Sequence, residues 1–394
     1  MQLVGDLLDG YPASDYDEAF AAPLEPRAAC VGLVAHLETL SRGDLDDRGM
    51  RRDRAFRDEG ITFSLLGEDE RPFPLDLVPR ILDAQEWDTI SVGLVQRVRA
   101  LEAFLADVYG KREILADGVV PHRLVMTSPH FHRAAAGFQP AGGVRIHVAG
   151  IDLVRDRDGR FLVLEDNLRC PSGISYVVEN RRAMTQIFPD LFRSHRVRPV
   201  ADYPGRLLDA LRATAPPGAG SNPNVVVLTP GIHNSAYFEH SFLARQMGVP
   251  LVEGRDLLCR DRVVYMRTTE GEQRVDTIYR RVDDGFLDPL HFRPDSVVGC
   301  PGMLDAARAG NVTIANMVGN GVADDKAIYA YVPDMIAYYL GETPLLANVD
   351  TYLLDDVETR AWVIDHLDQL VTKPVDGAGG YGIVIGPASD AATL

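Results

Sequence analysis

Apolar residues at helical spacing mark one long helix in the first third of the chain. From Gly93 to Gly110 they recur at alternating gaps of four and three residues, which predicts an amphipathic helix closed by a glycine. The apolar positions are Leu94, Val98, Leu101, Leu105 and Val108. Residues 1–60 show one helical stretch, around Val31–Leu40, and we expect them to form a wrapping arm.

Compact apolar runs predict strands that alternate with helices along the rest of the chain. In chain order the predicted elements are a strand-rich block over 144–167, a helix through 179–185, a linker at 216–224, a strand VVVLT at 225–229, a helix at 235–248, a strand at 249–254, a helical region over 324–340 broken at Pro333, and the final strands LVTKPV and YGIVIG. The strand–helix–strand order after the linker is a βαβ unit, which implies a parallel sheet. The predicted fold class is therefore mixed α/β.

Composition narrows the class of protein. The chain has 394 residues, of which 46% are apolar and 25% charged, as in folded soluble proteins. Its net charge of −17 predicts a surface that repels nucleic acid and anionic membranes. The four cysteines have no CxxC spacing, so we expect reduced thiols. The N-terminal residues are acidic and no run of about 18 apolar residues occurs, so a cytoplasmic location is expected.

The stretch GIDLVRDRDGRFLVLEDN, residues 150–167, predicts a hairpin that carries acids. Asp158-Gly159 suits a two-residue type I′ turn. That turn would pair Arg157 with Arg160, place Asp152 opposite Glu165, and place Val154 opposite Val163. Asn167 would share the face of the two acids, because side chains alternate along a strand.

Two directly opposed carboxylates repel each other unless a cation lies between them. The oxygen ligands of Asp152, Glu165 and Asn167 suit Mg²⁺. The alternative is a solvated hairpin whose acids pair with nearby arginines, and for an arbitrary hairpin we would favour it. Here the continuation LRCPSG, with Arg169 and small residues, favours the metal site.

The glycine-rich stretch DGAGGYG, residues 376–382, matches GxGxxG formally. A nicotinamide-binding fold needs a helix directly afterwards, but the β-branched run that follows predicts a strand. A glycine hairpin can still cover phosphates with its amides, and Lys373 on the incoming strand could reach the same phosphates. The alternative is a surface hairpin with a solvated lysine.

Lys326 is a second candidate for phosphate binding. Asp324 is predicted to cap a helix, which puts Lys326 in the first turn, where a cation opposes the helix dipole unless an anion is bound. The alternative is a surface lysine that pairs with Asp324 or Asp325.

Taken in order, these motifs resemble the circularly permuted ATP-grasp proteins, with the type 2 subgroup, related to the ATP-grasp domain of glutathionylspermidine synthetase, as the nearest. Matching phrases from about Tyr16 to the C-terminus are EDNLRCPSG, LTPGIHNSAYFEH, IYRRVDD, IANMVGNGVADDKA and KPVDGAGGYG. The resemblance implies an ATP-grasp-like fold in permuted order with a βαβ subdomain, and ATP and Mg²⁺ as cofactors.

The resemblance also assigns the candidate site residues. It implies Asp152, Glu165 and Asn167 as the Mg²⁺ ligands, Lys326 and Lys373 as phosphate contacts, and a covering loop. The candidate loop residues are Gly377, Gly379, Gly380 and Gly382.

Four segments are expected from this assignment. They are an N-terminal arm and helical region at 1–92, a permuted ATP-grasp segment with the metal-binding hairpin at 93–215, an α/β subdomain at 216–322, and a nucleotide-binding segment at 323–394. Family members continue past the glycine hairpin with strands that hold adenine, so the last segment is expected to be truncated.

The expected activity is that of an ATP-dependent carboxylate–amine ligase that forms an acyl phosphate, with small-molecule or peptide acids and amines as substrates. Arg169 is the candidate to hold the acyl phosphate or the substrate carboxylate, because a guanidinium binds such groups bidentately. Arg280 and Arg281, beside Asp283 and Asp284, are further candidates for the same role, with an internal salt-bridge network as the equal alternative.

Other functions stay open from the sequence alone. One is an ATP- and Mg²⁺-binding partner protein without catalysis, and a remote one is an NAD-dependent dehydrogenase, which a helix starting at Gly382 would favour. The polar residues of GIHNSAYFEH, 231–240, are expected to cap a helix, with a metal or substrate role as the alternative. No oligomeric state is predicted.

Overall fold

The structure is a computed structural model that describes residues 7–8, 10–12, 16–63, 71–376, 382–390 and 393. Within these ranges no helix combines the length and the apolar character needed to cross a bilayer. The four cysteines all lie in the described part and form no disulfide.

Strands and helices alternate through much of the chain, as predicted. The strands are β1 (Phe20–Ala22), β2 (Glu25–Pro26), β3 (Thr62–Phe63), β4 (Arg71–Pro72), β5 (Gly150–Arg155), β6 (Phe161–Asn167), β7 (Val225–Leu228), β8 (Leu251–Val252), β9 (Leu257–Arg260), β10 (Val263–Thr268), β11 (Gly271–Arg274), β12 (Thr277–Arg280), β13 (Thr313–Ala315), β14 (Ala347–Asn348), β15 (Val371–Thr372) and β16 (Val384–Ile385). The helices are α1 (Val31–Leu37), α2 (Arg42–Asp58), α3 (Ala84–Val108), α4 (Glu113–Ala116), α5 (His122–Met126), α6 (Ile174–Ile187), α7 (Pro189–Ser194), α8 (Tyr203–Ala213), α9 (Tyr237–Met247), α10 (Asp284–Leu287), α11 (Met303–Arg308), α12 (Lys326–Tyr329), α13 (Val332–Leu340) and α14 (Val357–Asp365).

The chain forms two compact units and passes between them several times. Unit 1 comprises residues 1–89, 156–160 and 172–313, and unit 2 comprises residues 90–155, 161–171 and 314–394. The four sequence-continuous segments predicted above stay predictions.

The central sheet of unit 1 contains the predicted βαβ unit. β7 and β8 are parallel and α9 connects them, which confirms that prediction. β12 pairs with the other side of β7, also in parallel, and the sheet order is β13-β12-β7-β8. All four residues of β7 are buried, as expected for a strand covered on both faces.

The N-terminal region is more regular than the predicted arm. It contains α2 in addition to α1, so the expectation of one helical stretch is wrong. α2 begins with a reciprocal cap in which Ser41 accepts the amide of Asp44 and Asp44 accepts the amide of Ser41. Only Phe56 of this helix is buried, so apolar periodicity could not reveal it.

Unit 2 is built around α3 and the sheet β14-β6-β5. α3 begins at Ala84, nine residues before Gly93, and ends at Val108, close to the predicted stop. The predicted helical break does not lie at Pro333, because α12 ends at Tyr329 and α13 accommodates this proline in its first turn.

Candidate functional site

The turn of the β5–β6 hairpin is not the two-residue turn that the sequence predicts. The amide of Asp156 donates to the carbonyl of Arg160 at 2.9 Å, so three residues form the loop. Gly159 has φ = +82°, the left-handed conformation that commonly closes such loops. The predicted type I′ turn, with Arg157 paired to Arg160, is therefore wrong.

The pairing beside the turn is shifted by one residue. Val154 lies opposite Leu162, and Leu153 lies opposite Val163. The prediction that Val154 faces Val163 is wrong. Because a one-residue shift turns each side chain to the other face, Val163 points into the core, where it is fully buried in one cluster with Tyr329.

A β-bulge restores the predicted pairing at the open end of the hairpin. The register changes between Asp152 and Leu153, and Leu164 is the extra residue on β6. Asp152 then lies directly opposite Glu165, which confirms that prediction. Opposed residues share a face, and Asn167 shares it because side chains alternate beyond the bulge.

A lysine acts on each of the two opposed acids. Lys326 Nζ lies 3.7 Å from Glu165 Oε2. Partial desolvation and the negative charge of Glu165 raise the pKa of Asp152, and the positive charge of Lys373 opposes the rise. Desolvation is the larger cause of the raised pKa of Asp152, and the repulsion by Glu165, which a bound cation would relieve, adds to it.

The short helix α12 is fixed against the hairpin. The hydroxyl of Tyr329 donates to the carbonyl of Val163 on β6. At the other end, the amide of Lys326 donates to the carbonyl of Val375 at 3.2 Å, which ties α12 to the segment that carries Lys373. Both lysines therefore belong to the same cluster as the acid pair.

Asp325, rather than Asp324, caps α12. Its carboxylate accepts the amide of Ala327 at 2.9 Å. The predicted cap is therefore wrong by one residue, whereas Lys326 does lie in the first turn as predicted.

Asp324 holds the end of β6 and the candidate Arg169. Its carboxylate accepts the amide of Leu168 and, at 2.9 Å, Nε of Arg169. Burial raises the pKa of Asp324 to about 6, although the charge and hydrogen bonds of Arg169 oppose the rise. The stem of Arg169 packs on Gly321, where a Cβ would lie 2.6 Å from Arg169 Cδ.

Two buried asparagines, which the sequence analysis did not single out, brace the hairpin. Asn316 donates to the carbonyls of Val148 and Leu168, at 2.6 and 2.8 Å, and accepts the amide of Val148 at 2.9 Å. Asn320 donates to the carbonyls of Arg145 and Leu168, at 2.9 and 3.2 Å. The available signal was the position of both asparagines within the small and apolar run IANMVGNG.

The glycine loop lies mostly outside the described residues. Gly377, Gly379 and Gly380 are not described, and Gly382 has φ = +72°. β15 pairs antiparallel with β16, which follows directly after the loop. The predicted strand is confirmed, and the helix required by a nicotinamide-binding fold does not follow.

Arg281 lies in unit 1, in a buried network. Its guanidinium donates to Glu239 at 3.3 Å and to the hydroxyl of Tyr279 at 3.1 Å. Arg280 pairs with Asp284 at 2.6 Å and is also buried. This is the salt-bridge network that the sequence left as the alternative, and a catalytic role for Arg281 stays a prediction.

The loop after β7 has the capping contacts expected from its sequence. The side chain of Asn234 accepts the amide of Ala236 at 2.9 Å, just before α9. His240 is buried and lies 2.9 Å from the hydroxyl of Thr229, and burial, reinforced by the charge of Arg281, lowers the pKa of His240 to about 3. His233 is exposed.

The donor set on the hairpin suits Mg²⁺. Among the described residues, no group of three or more His, Cys, Asp or Glu side chains is arranged for a metal. The set here consists of two carboxylates and one amide, from Asp152, Glu165 and Asn167. Mg²⁺ is usually held by one or two carboxylates together with substrate phosphates, so these oxygens fit the ion.

The family model that matches this chain is described as a circularly permuted ATP-grasp and covers residues 79–394. The chain belongs to the circularly permuted ATP-grasp family. The predicted resemblance and the mixed α/β fold class are thereby confirmed, and the type 2 subgroup stays a prediction.

Relatives of this permuted ATP-grasp protein occur in several bacteria. An uncharacterized protein of Mycobacterium tuberculosis (strain ATCC 25618 / H37Rv) is 59% identical over 395 residues, which cover 98% of this chain and 71% of that protein. A protein of Frankia casuarinae, provisionally named glutamate–cysteine ligase 2-2, is 47% identical over 391 residues, covering 99% of this chain and 45% of that protein. The chain thus matches less than half of the Frankia protein, whose name does not say which part is the ligase.

A solved structure supports the fold. The glutathione synthetase-like effector of Globodera pallida, in its apo form, aligns with a TM-score of 0.51 over 75% of this permuted ATP-grasp chain and 67% of the effector. The sequence identity is 11%, so this likeness concerns the fold alone.

Proposed function

We propose that the protein is an ATP-dependent ligase that joins a carboxylate to an amine through an acyl phosphate. The observation that carries the proposal is the opposed pair of Asp152 and Glu165, with Lys326 Nζ 3.7 Å from Glu165. Membership of the ATP-grasp family and the ligase name of the Frankia relative support it. Small-molecule or peptide acids and amines are the proposed substrates.

Each residue of the hairpin cluster has a role in this proposal. Asp152, Glu165 and Asn167 would hold Mg²⁺, which when bound supplies positive charge to the phosphates of ATP. Lys326 and Lys373 would neutralise the remaining phosphate charge. The loop residues Gly377, Gly379, Gly380 and Gly382 would cover the phosphates with their amides.

The chemistry requires positioning and charge rather than a protein nucleophile. A carboxylate oxygen of the substrate bonds to the γ-phosphorus of ATP while the bond to ADP breaks. The amine then attacks the acyl carbon, phosphate leaves with the electrons of the C–O bond, and the amine loses a proton. Arg169 is the proposed contact for the acyl phosphate or carboxylate, and Asp324 orients its guanidinium. Arg281 stays a second candidate catalytic residue.

The test measures ATP binding and ADP release by the full chain, with Mg²⁺ and panels of amino acids and short peptides. Glu165→Gln should remove Mg²⁺-dependent ATP binding, and Lys326→Gln should weaken ATP binding about tenfold or more, because each loses a charge at the phosphates. Glu272→Gln and Lys111→Gln are matched controls, because both residues are exposed and lie outside the cluster.

The outcome against the proposal is equally specific. If Glu165→Gln folds like the wild type and binds ATP with Mg²⁺ at unchanged affinity, the proposed metal site is refuted. If the wild type binds ATP but releases no ADP with any pair of acid and amine, the result would favour a non-catalytic ATP-binding protein.

A further inference from the structure

Three arginines line a pocket between α2 and α6 in unit 1. The pocket has a volume of about 250 Å³. α2 contributes Arg48, Arg51 and Arg52, which lie on one face because residues three and four apart are neighbours on a helix. The other lining residues are Ala55, Ala183, Gln186 and Ile187.

The charge of this pocket is unusual for a chain with a net charge of −17. Asp53 pairs with Arg52 at 2.7 Å. In the part of the chain that the structure describes, no carboxylate lies within salt-bridge distance of Arg48 or Arg51. Arg48, Arg51 and Arg52 lie three or four residues apart and repel one another, and Asp44, one turn before Arg48, offsets part of this repulsion.

Two of the three guanidinium groups are fixed in place. Arg48 donates to the carbonyl of Ile187, the last residue of α6, and lies 4.6 Å from the ring centroid of Phe188. Arg52 donates to the carbonyl of Leu75. Because these contacts hold the side chains before a ligand arrives, less conformational entropy is lost on binding.

The third guanidinium is available to a ligand. Arg51 is exposed and forms no hydrogen bond or ion pair with the described residues. Arg48 also acts on a neighbouring side chain: burial lowers the pKa of His36, and the positive charge of Arg48 lowers it further. Among the described residues, the pocket therefore presents Arg51 without an ion pair and Arg48 with only the more distant charge of Asp44.

We propose that the arginine pocket binds a small organic dianion, with oxygen anions of the dicarboxylate or phosphate monoester kind. Guanidinium groups bind carboxylate and phosphate oxygens bidentately, and two cations that form no salt bridge with the described residues match two negative charges. The pocket volume of about 250 Å³ leaves room for several water molecules, so a small organic anion can enter. Ala55, Ala183 and Ile187 can contact a short hydrocarbon chain between the anionic groups.

The test is calorimetric titration of the full chain with succinate and with glycerol 3-phosphate, and with acetate as the monoanion. We expect saturable binding of at least one dianion and weaker binding of acetate. Arg51→Gln should weaken dianion binding about tenfold, since it removes a charge-assisted contact. Arg54→Gln is the matched control, because Arg54 lies on the same helix, is exposed, and carries the same charge outside the pocket.

Three results would overturn the inference. The first is no binding of either dianion at millimolar concentration, and the second is equal weakening by Arg51→Gln and Arg54→Gln, which would indicate non-specific attraction. The third is loss of dianion binding in Lys326→Gln with no loss in Arg51→Gln, which would assign the anion to the proposed nucleotide site. A preference for succinate or glycerol 3-phosphate distinguishes the two anion types.

Discussion

Two neighbouring acids on β6, Glu165 and Asp166, meet opposite electrostatic environments. Asp166 is 1% exposed and accepts two hydrogen bonds from Arg97, at 2.7 and 2.6 Å. Glu165 is half-buried, lies opposite Asp152, and is 3.7 Å from Lys326. The two faces of one strand therefore separate an acid held by two short hydrogen bonds from a pair of opposed acids whose lysine partners lie at longer distance or act through charge alone.

This difference shows that the partners, rather than the residue type, decide what a carboxylate does. The guanidinium of Arg97 also donates to Asn348 on β14, so the Asp166 face fixes α3, β6 and β14 together. On the other face, Glu165 has one lysine partner and is also repelled by Asp152. Such incompletely compensated carboxylates favour the binding of a cation. The Asp166 face thus fixes the position of β6, and Glu165 on the other face depends on that position.

Breaking the buried face should give the largest effect. Asp166→Asn leaves the charge of Arg97 buried without its counterion, so we expect a loss of about 3–5 kcal/mol in the free energy of unfolding. Urea denaturation measures the loss. Glu165→Gln is the control one residue away and should change stability by less than about 1 kcal/mol. Equal losses in the two variants would contradict the contrast between the faces.

The sequence predicted this contrast only in part. It identified Asp152 opposite Glu165, because residues at equal distances before and after a predicted turn are expected to pair across the hairpin. It missed the Asp166–Arg97 pair, because a contact between residues 69 positions apart leaves no local pattern. The turn was wrong by one residue, and the bulge at Leu164 compensated for the error.

The helices show the same division. The long periodic helix α3 and the βαβ unit were predictable, since burial of an apolar face creates a repeat. α2 was missed because Phe56 is its only buried residue, so its apolar residues form no helical repeat. Its start is marked instead by the reciprocal cap of Ser41 and Asp44. Asn316 and Asn320 were missed because their hydrogen bonds go to backbone groups far away in the chain.

The contacts of Asp324 with Leu168 and Arg169, just after β6, can be tested by their pH dependence. The pKa of Asp324 is raised to about 6, so its protonated form is favoured by folding. The resulting stability is fully present below the unfolded pKa near 4 and is lost as the pH rises through about 6. Relative to Asp324→Asn, the wild type should therefore lose up to roughly 3 kcal/mol between pH 4 and pH 7.

Urea denaturation at a series of pH values measures this difference for Asp324→Asn. Asp158→Asn is the control, because Asp158 is an exposed turn residue and should give a nearly constant difference over the same range. A wild type that gains stability relative to Asp324→Asn as the pH rises would show that the ionised form is preferred, and that the pair with Arg169 outweighs burial.

The smallest effect sharpens the comparison on the binding face itself. Asp152→Asn removes the repulsion by Glu165 and also the attraction by Lys373, so the metal-free protein should gain only a few tenths of a kcal/mol, a value kept small because Asp152 is exposed. The same change removes an oxygen charge from the proposed ion site, so the rise in melting temperature on adding Mg²⁺ and ATP should disappear. Glu165→Gln lacks the gain, because it also breaks the pair with Lys326. If both variants gained the same free energy of unfolding, the attraction between Lys326 and Glu165 would be negligible, and repulsion between the two acids would be the dominant interaction on this face.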